Sequence, residues 1–198
     1  DAIMAIAFAI ALGIVSVSRL FAPIFWGEDF APCAYILSAL ALSIPFSGFA
    51  NVIRMQYLIP NGMDGAYILS VILGAVSNLT ANSLLIPRCG ALGAAVGTVI
   101  AEGVVCAAQC LAVKKRIDIL AYLKSTAFFG MAGLLMYGAV RVLDQRAEIT
   151  VSWLLLEIVG GGSVYCILYV LYLYHTKNEL LMTALQKLGG AHQNNDRG

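Results

Sequence analysis

Six apolar stretches, each of about twenty residues or more and parted by short polar links, constrain this chain more than anything else in it. A bilayer's hydrocarbon core is about 30 Å thick, and a helix rising about 1.5 Å per residue needs roughly 20 apolar residues to cross it. No water is present in that core to satisfy backbone N–H and C=O groups, so each stretch reads as a membrane-spanning helix. Composition agrees, since the 198 residues are 61% hydrophobic and 12% charged, with a mean hydropathy of +0.87. The expected fold class is an all-α integral membrane helix bundle of about six transmembrane helices over residues 1–175, followed at 176–198 by a cytoplasmic amphipathic and disordered tail. The net charge of +1 carries no polyanion-binding signal, so nucleic acid is not expected as a partner.

The expected spans are 3–25, 33–53, 65–86, 91–113, 125–143 and 152–174. Phe25, Trp26 and Gly27 close the first with an aromatic anchor. Pro45 interrupts the second near its centre, where a proline removes a backbone hydrogen bond and bends the helix; it is a hinge candidate, or a packing kink. Thr176 and Glu179 form a capping-box pattern ahead of a stripe of Leu181, Leu185 and Leu188, which reads as an interfacial helix. Arg54, Lys114, Lys115, Arg116, Lys124, Lys177, Lys187 and Arg197 fall on one side of the spans, against Arg88, Arg141 and Arg146 on the other. The richer side is expected to be cytoplasmic, which puts both ends there. The chain opens on Asp1 and its first apolar stretch has no basic leader or cleavage site, so it reads as an excerpt of a longer protein.

The stretch from Ser70 to Gln109 reads as the organising hairpin. Ser70, Gly74, Asn78 and Asn82 lie four apart on its first arm, and Ala94, Thr98, Glu102 and Cys106 four apart on its second, so each set shares a helical face. With a turn at 87–90, antiparallel arms bring Asn82 level with Thr98 and Asn78 level with Glu102, roughly 18 Å from the turn and near mid-bilayer. Amides and a carboxylate at that depth must face protein or water. Gly93 and Gly97 form a small-xxx-small pair suited to close helix approach. Arg19 lies about 9 Å from the end of the first span, open to snorkelling, a structural pairing or a substrate-facing role. Glu157 lies shallow in the last span, within reach of water. Tyr165, Tyr169 and Tyr172 share a face that reads as lipid-facing packing, and the five cysteines read as packed thiols.

Nothing here is arranged for covalent chemistry: the spans hold no histidine, no acidic pair at glycosidase-like spacing, no phosphate loop and no metal-ligand cluster. No enzyme activity, metal or cofactor is expected. Single polar residues spread over several helices suit instead a water-filled path between helices.

The residues from Asn78 to Glu102 also carry a resemblance. Asn78, Asn82, Ile86, Pro87, Gly90, Gly93, Ala94, Ala95 and Thr98 follow an N-x-x-x-N-x-x-x-I-P-x-x-G-x-x-G-A-A-x-x-T pattern, supported by the junction from Phe25 to Phe30. The chain thereby resembles the multidrug/oligosaccharidyl-lipid/polysaccharide flippase superfamily, and within it the polysaccharide-export branch of Wzx-type O-antigen and capsule flippases. The resemblance implies the second half of a two-bundle transporter in the bacterial inner membrane. It would turn an undecaprenyl-diphosphate-linked oligosaccharide between leaflets by alternating access, with the missing N-terminal half and a polysaccharide polymerase as partners. It also implies that Arg19 meets the diphosphate and that Asn78, Asn82, Thr98 and Glu102 line the sugar or ion path. Glu102 would pair with Arg19, stay protonated, bind a coupling proton or sodium ion, or make a structural hydrogen bond to Asn78. A cation-coupled drug exporter of the same superfamily and a non-transporting membrane scaffold remain the alternatives.

Overall fold

The computed structural model describes residues 2–145 and 148–175; the expected tail and Arg146 lie outside the described residues. The elements are α1 (Ala2–Trp26), a 3-10 turn (Glu28–Phe30), α2 (Cys33–Ala41), α3 (Ser43–Ile53) running into a π-helical turn (Arg54–Leu58), α4 (Asp64–Cys89), α5 (Ala91–Val113), α6 (Ile119–Asp144) and α7 (Val151–His175). Six helical stretches are long and apolar enough to cross a membrane, with α2, α3 and the π turn together forming one of them. The fold is an all-helical membrane bundle, as the hydropathy pattern requires.

Packing centres on α1 rather than on the α4–α5 hairpin. α1 contacts α2, α3, α6 and α7, while α5 joins the hairpin to the rest through α2 and α3. The buried face of α1 is built largely of small residues, Ala5, Ala7, Ala11 and Ala22, which lets neighbouring helices approach closely. Below it lies a core of Met4, Ala5, Phe49, Ile53, Leu58, Val113 and Phe129. The α7 tyrosines pack inward against these elements, contrary to the lipid-facing expectation: Tyr165 is buried and its hydroxyl donates to the Ala5 carbonyl at 2.7 Å, and the Tyr172 ring meets Phe129 at 5.0 Å. A phenol in the hydrocarbon needs an acceptor, and the α1 backbone supplies one.

Local chemistry explains the element ends. Pro45 sits in the first turn of α3 and has no N–H for the Ala41 carbonyl, so the second span breaks at Leu42, whose own N–H turns to Ala39. α6 begins six residues before the expected 125, because the Asp118 carboxylate accepts from the Ala121 N–H and caps it. The turn of the hairpin is tighter than the expected 87–90. α4 carries Pro87 through its last turn, and the chain reverses at Gly90 alone, whose φ of 57° and ψ of −134° suit glycine.

The register of the hairpin agrees with the sequence reading to within a residue. Gly93 faces Leu85, Gly97 faces Ala81 and Asn82, Gly74 faces Ala101 and Val105, and Gln109 Nε2 donates to Ser70 Oγ at 3.1 Å. The α5 face turned to α4 is therefore that of Gly93, Gly97 and Gln109, with Thr98 and Glu102 set to one side. A Cβ on Gly93 would come within 2.5 Å of the Leu85 carbonyl oxygen, a backbone atom that cannot swing away, whereas one on Gly103 meets nothing within 4 Å. Gly93→Ala is accordingly expected to cost about 1–3 kcal/mol and lower the melting temperature of the purified protein, while Gly103→Ala leaves it unchanged or raises it.

Candidate substrate-path cavities

Toward the end of α1 a carboxylate is held by two arginines. Arg19 Nε donates to Asp144 Oδ1 at 2.8 Å and its Nη2 to the Asp144 carbonyl at 3.1 Å, while Arg141 Nη1 donates to Oδ2 at 3.0 Å. Arg141 is fixed in turn through its Nε to the Tyr137 hydroxyl at 2.8 Å, with its guanidinium 5.3 Å from that ring's centre. Asp144 is only 6% exposed, yet the Arg19 side chain is 52% exposed. The carboxylate is thus sealed inside while the Arg19 guanidinium keeps an open side.

That side lines a cavity of about 540 Å³ between α1, α2 and α6, whose wall includes Ser18, Arg19, Tyr35, Ser38, Tyr137 and Arg141. Two guanidiniums among hydroxyls suit an anion with several oxygens, such as a phosphate group. The Ser18 and Ser38 hydroxyls stand 2.8 Å apart and tie α1 to α2 along this wall.

A second cavity, of about 640 Å³, lies toward the other end of the bundle. Ile3, Ile6, Ala7 and Ile10 of α1, Ser43, Ser47 and Asn51 of α3, and Glu102 and Gln109 of α5 line it with Arg54 and Tyr67. Arg54 lies in the π turn, donates to the Asn51 side chain and to the Tyr67 hydroxyl at 3.4 Å, and sits 5.2 Å from the Tyr67 ring centre. A π turn gives up regular α geometry to aim its side chains differently, and here it brings a guanidinium to the cavity wall. Glu102 makes no ion pair among the described residues. α2 therefore lines one cavity and α3 the other, and the break before Pro45 falls between them.

The sequence candidates divide accordingly. Arg19 and Glu102 line different cavities, and Arg19 pairs with Asp144 rather than with Glu102. Asn82 Nδ2 donates to Asn78 Oδ1 at 3.0 Å, and the Thr98 hydroxyl donates to the Ala94 carbonyl of its own helix. None of these three lines either cavity. Sequence reasoning does not single out Arg54, Arg141 or Asp144 as site residues, and it puts Glu157 within reach of water, whereas the packing of α7 leaves it 1% exposed. Arg54, Arg88 and Arg141 fall in spanning helices as well as Arg19. The spacing of three between Arg141 and Asp144 is that of a helical ion pair, a signal the sequence carries.

No protein-family model matches the sequence, and no curated protein matches it. Among solved structures, one titled "Lipid II flippase MurJ, inward closed conformation" superposes with a TM-score of 0.75 at 19% identity, over 88% of this chain and 38% of that one. The chain shares that fold. It spans about 38% of the length of that chain.

The double clamp on Asp144 gives a measurable asymmetry. Arg19→Ala leaves the carboxylate held by Arg141, whereas Asp144→Ala leaves two guanidiniums without their shared partner. Asp144→Ala is expected to lose about 2 kcal/mol of stability and Arg19→Ala clearly less, read from thermal unfolding of the purified protein in detergent.

Proposed function

We propose that this chain is the second transmembrane bundle of a polysaccharide-export flippase. In this reading the whole protein carries an undecaprenyl-diphosphate-linked oligosaccharide from the inner to the outer leaflet of the bacterial cytoplasmic membrane by alternating access. Both ends of the chain are cytoplasmic, and the product passes to a polysaccharide polymerase. The observation that carries the reading is the pair of polar cavities at opposite ends of a bundle with a flippase-like fold, each with arginine in its wall. A diphosphate crossing a low-dielectric region needs a cation at each end of its path. Arg19 and Arg141 supply it at one end and Arg54 at the other, while the serines, tyrosines and amides of both walls offer partners to sugar hydroxyls.

The scaffold alternative expects every buried polar group to be satisfied by a neighbouring helix, whereas both carboxyl oxygens of Glu157 are buried without a hydrogen-bond partner. An unpaired carboxylate in the second cavity does favour one competitor, a cation-coupled exporter of organic cations.

Export complementation separates the two. The full-length protein is expressed in a bacterium lacking its own polysaccharide flippase, and surface glycan is scored at matched protein levels. Wild type is expected to restore the glycan, and Arg19→Ala and Arg141→Ala each to reduce it about tenfold or more, the loss of one charged hydrogen-bonding contact to phosphate. A wild type that restores no glycan but lowers sensitivity to cationic drugs would replace this reading with the exporter.

Pro45 is proposed as the hinge between the half-helix lining one cavity and the half-helix lining the other. Pro45→Ala restores the missing N–H and is expected to hold or raise thermal stability while slowing glycan export. Unchanged export would remove the hinge from the mechanism.

A further inference from the structure

Glu157 stands apart from every other acidic residue described. It lies on α7, is 1% exposed, and both of its carboxyl oxygens are closed off with no hydrogen-bond partner. A carboxylate in that position, inside a membrane span, is too costly to persist, whereas the neutral acid is tolerable. The charged groups within electrostatic range come from both helices packed on α7: Asp144 and Arg141 from α6, and Arg19 from α1. Glu157 also lines an apolar cavity of about 280 Å³, in which Ser16, Tyr165 and Cys166 are the remaining polar side chains. Ser16 donates to the Leu12 carbonyl and Tyr165 to Ala5, so neither hydroxyl hydrogen is left for Glu157.

We propose that Glu157 is a proton-binding site that sets how many arginine contacts an anion in the Arg19 cavity can win. The anion half of the proposal rests on the Arg19 reading above. With Glu157 neutral, two guanidiniums share one carboxylate, that of Asp144, and keep capacity for a further anion. When the Glu157 O–H bond breaks, its electron pair stays on the carboxylate and the proton passes to water. A second carboxylate then competes for Arg19 and Arg141. Proton binding and anion binding therefore favour each other, and by linkage each strengthens the other equally. A sodium ion fits this place poorly, because hard cations gather several oxygen ligands, and beside Glu157 the side chains of the wall offer only the Ser16 and Tyr165 hydroxyls among apolar groups and one thiol.

The test uses the purified full-length protein in lipid nanodiscs, as wild type and as Glu157→Gln, the isostere of the neutral acid. In infrared spectra the wild type should show a protonated-carboxyl C=O band that fades as pH rises and is missing from Glu157→Gln. Inorganic pyrophosphate should bind wild type about fivefold or more weakly at alkaline than at acid pH, beyond the change seen in Glu157→Gln. A band that persists in Glu157→Gln, or a wild type that shows no such band at any pH, overturns the proton site. Equal pH dependence of pyrophosphate binding in the two proteins overturns the link to the anion. A protein that binds no pyrophosphate at any pH overturns the Arg19 reading and with it that link, while the infrared band still decides the proton site.

Discussion

Lipid tails are as apolar as leucine, so helices inside a bilayer gain little by hiding leucines from them, and something else must hold them together. In this bundle it is the close approach of backbones at small residues. The alanines along α1 admit its neighbours, and the glycines of the hairpin set its two arms in register, with Gly93 against the Leu85 backbone and Gly97 against Asn82. Large side chains are left over for the outside, where Leu79 is 70% and Leu84 is 60% exposed. Much of the bulk thus faces outward, while one core of large residues, including Phe49, Leu58 and Phe129, remains inside.

Polar groups follow from the same constraint. Within the spans many are tied to a neighbouring helix, like Gln109 to Ser70 and Asp144 to Arg19, others bond within their own helix, like Thr98 to Ala94, and others gather at a cavity where water or a ligand can meet them. The Asp144 clamp joins the first and the last of these, because its carboxylate is sealed and one of its arginines is open. That combination lets a structural ion pair and an anion-facing surface share the same side chains.

Much of this was legible in the residues. Runs of apolar side chains fix how many spans there are, and spacing from Gly90 fixes which hairpin residues lie at equal depth. Periodicity reports depth and face along one helix, but not which other helix lies opposite. For that reason a pairing of Arg19 with Glu102 stays open in the sequence, when the carboxylate brought to Arg19 belongs to Asp144 at the far end of another span. The tyrosines of α7 read as lipid-facing for the same reason, since an aromatic face looks alike whether lipid or Phe129 covers it. Pro45 and Pro87 show how position decides: a proline just past the middle of a span breaks it, while one in a last turn loses a single bond with little helix left to disrupt. The cap at Asp118 was present in the sequence and overlooked because the basic cluster before it reads as loop.

The break at Leu42 also has a mechanical consequence. A continuous helix transmits torque and bending from one membrane face to the other, since every turn is stitched to the next. Where one stitch is missing, resistance to bending is lower at that point, and under the proposed hinge the two halves would act as separate levers on a common pivot. Under that proposal a bundle built this way would widen at one end without first loosening the other, so the two faces of the membrane would never need to be breached together.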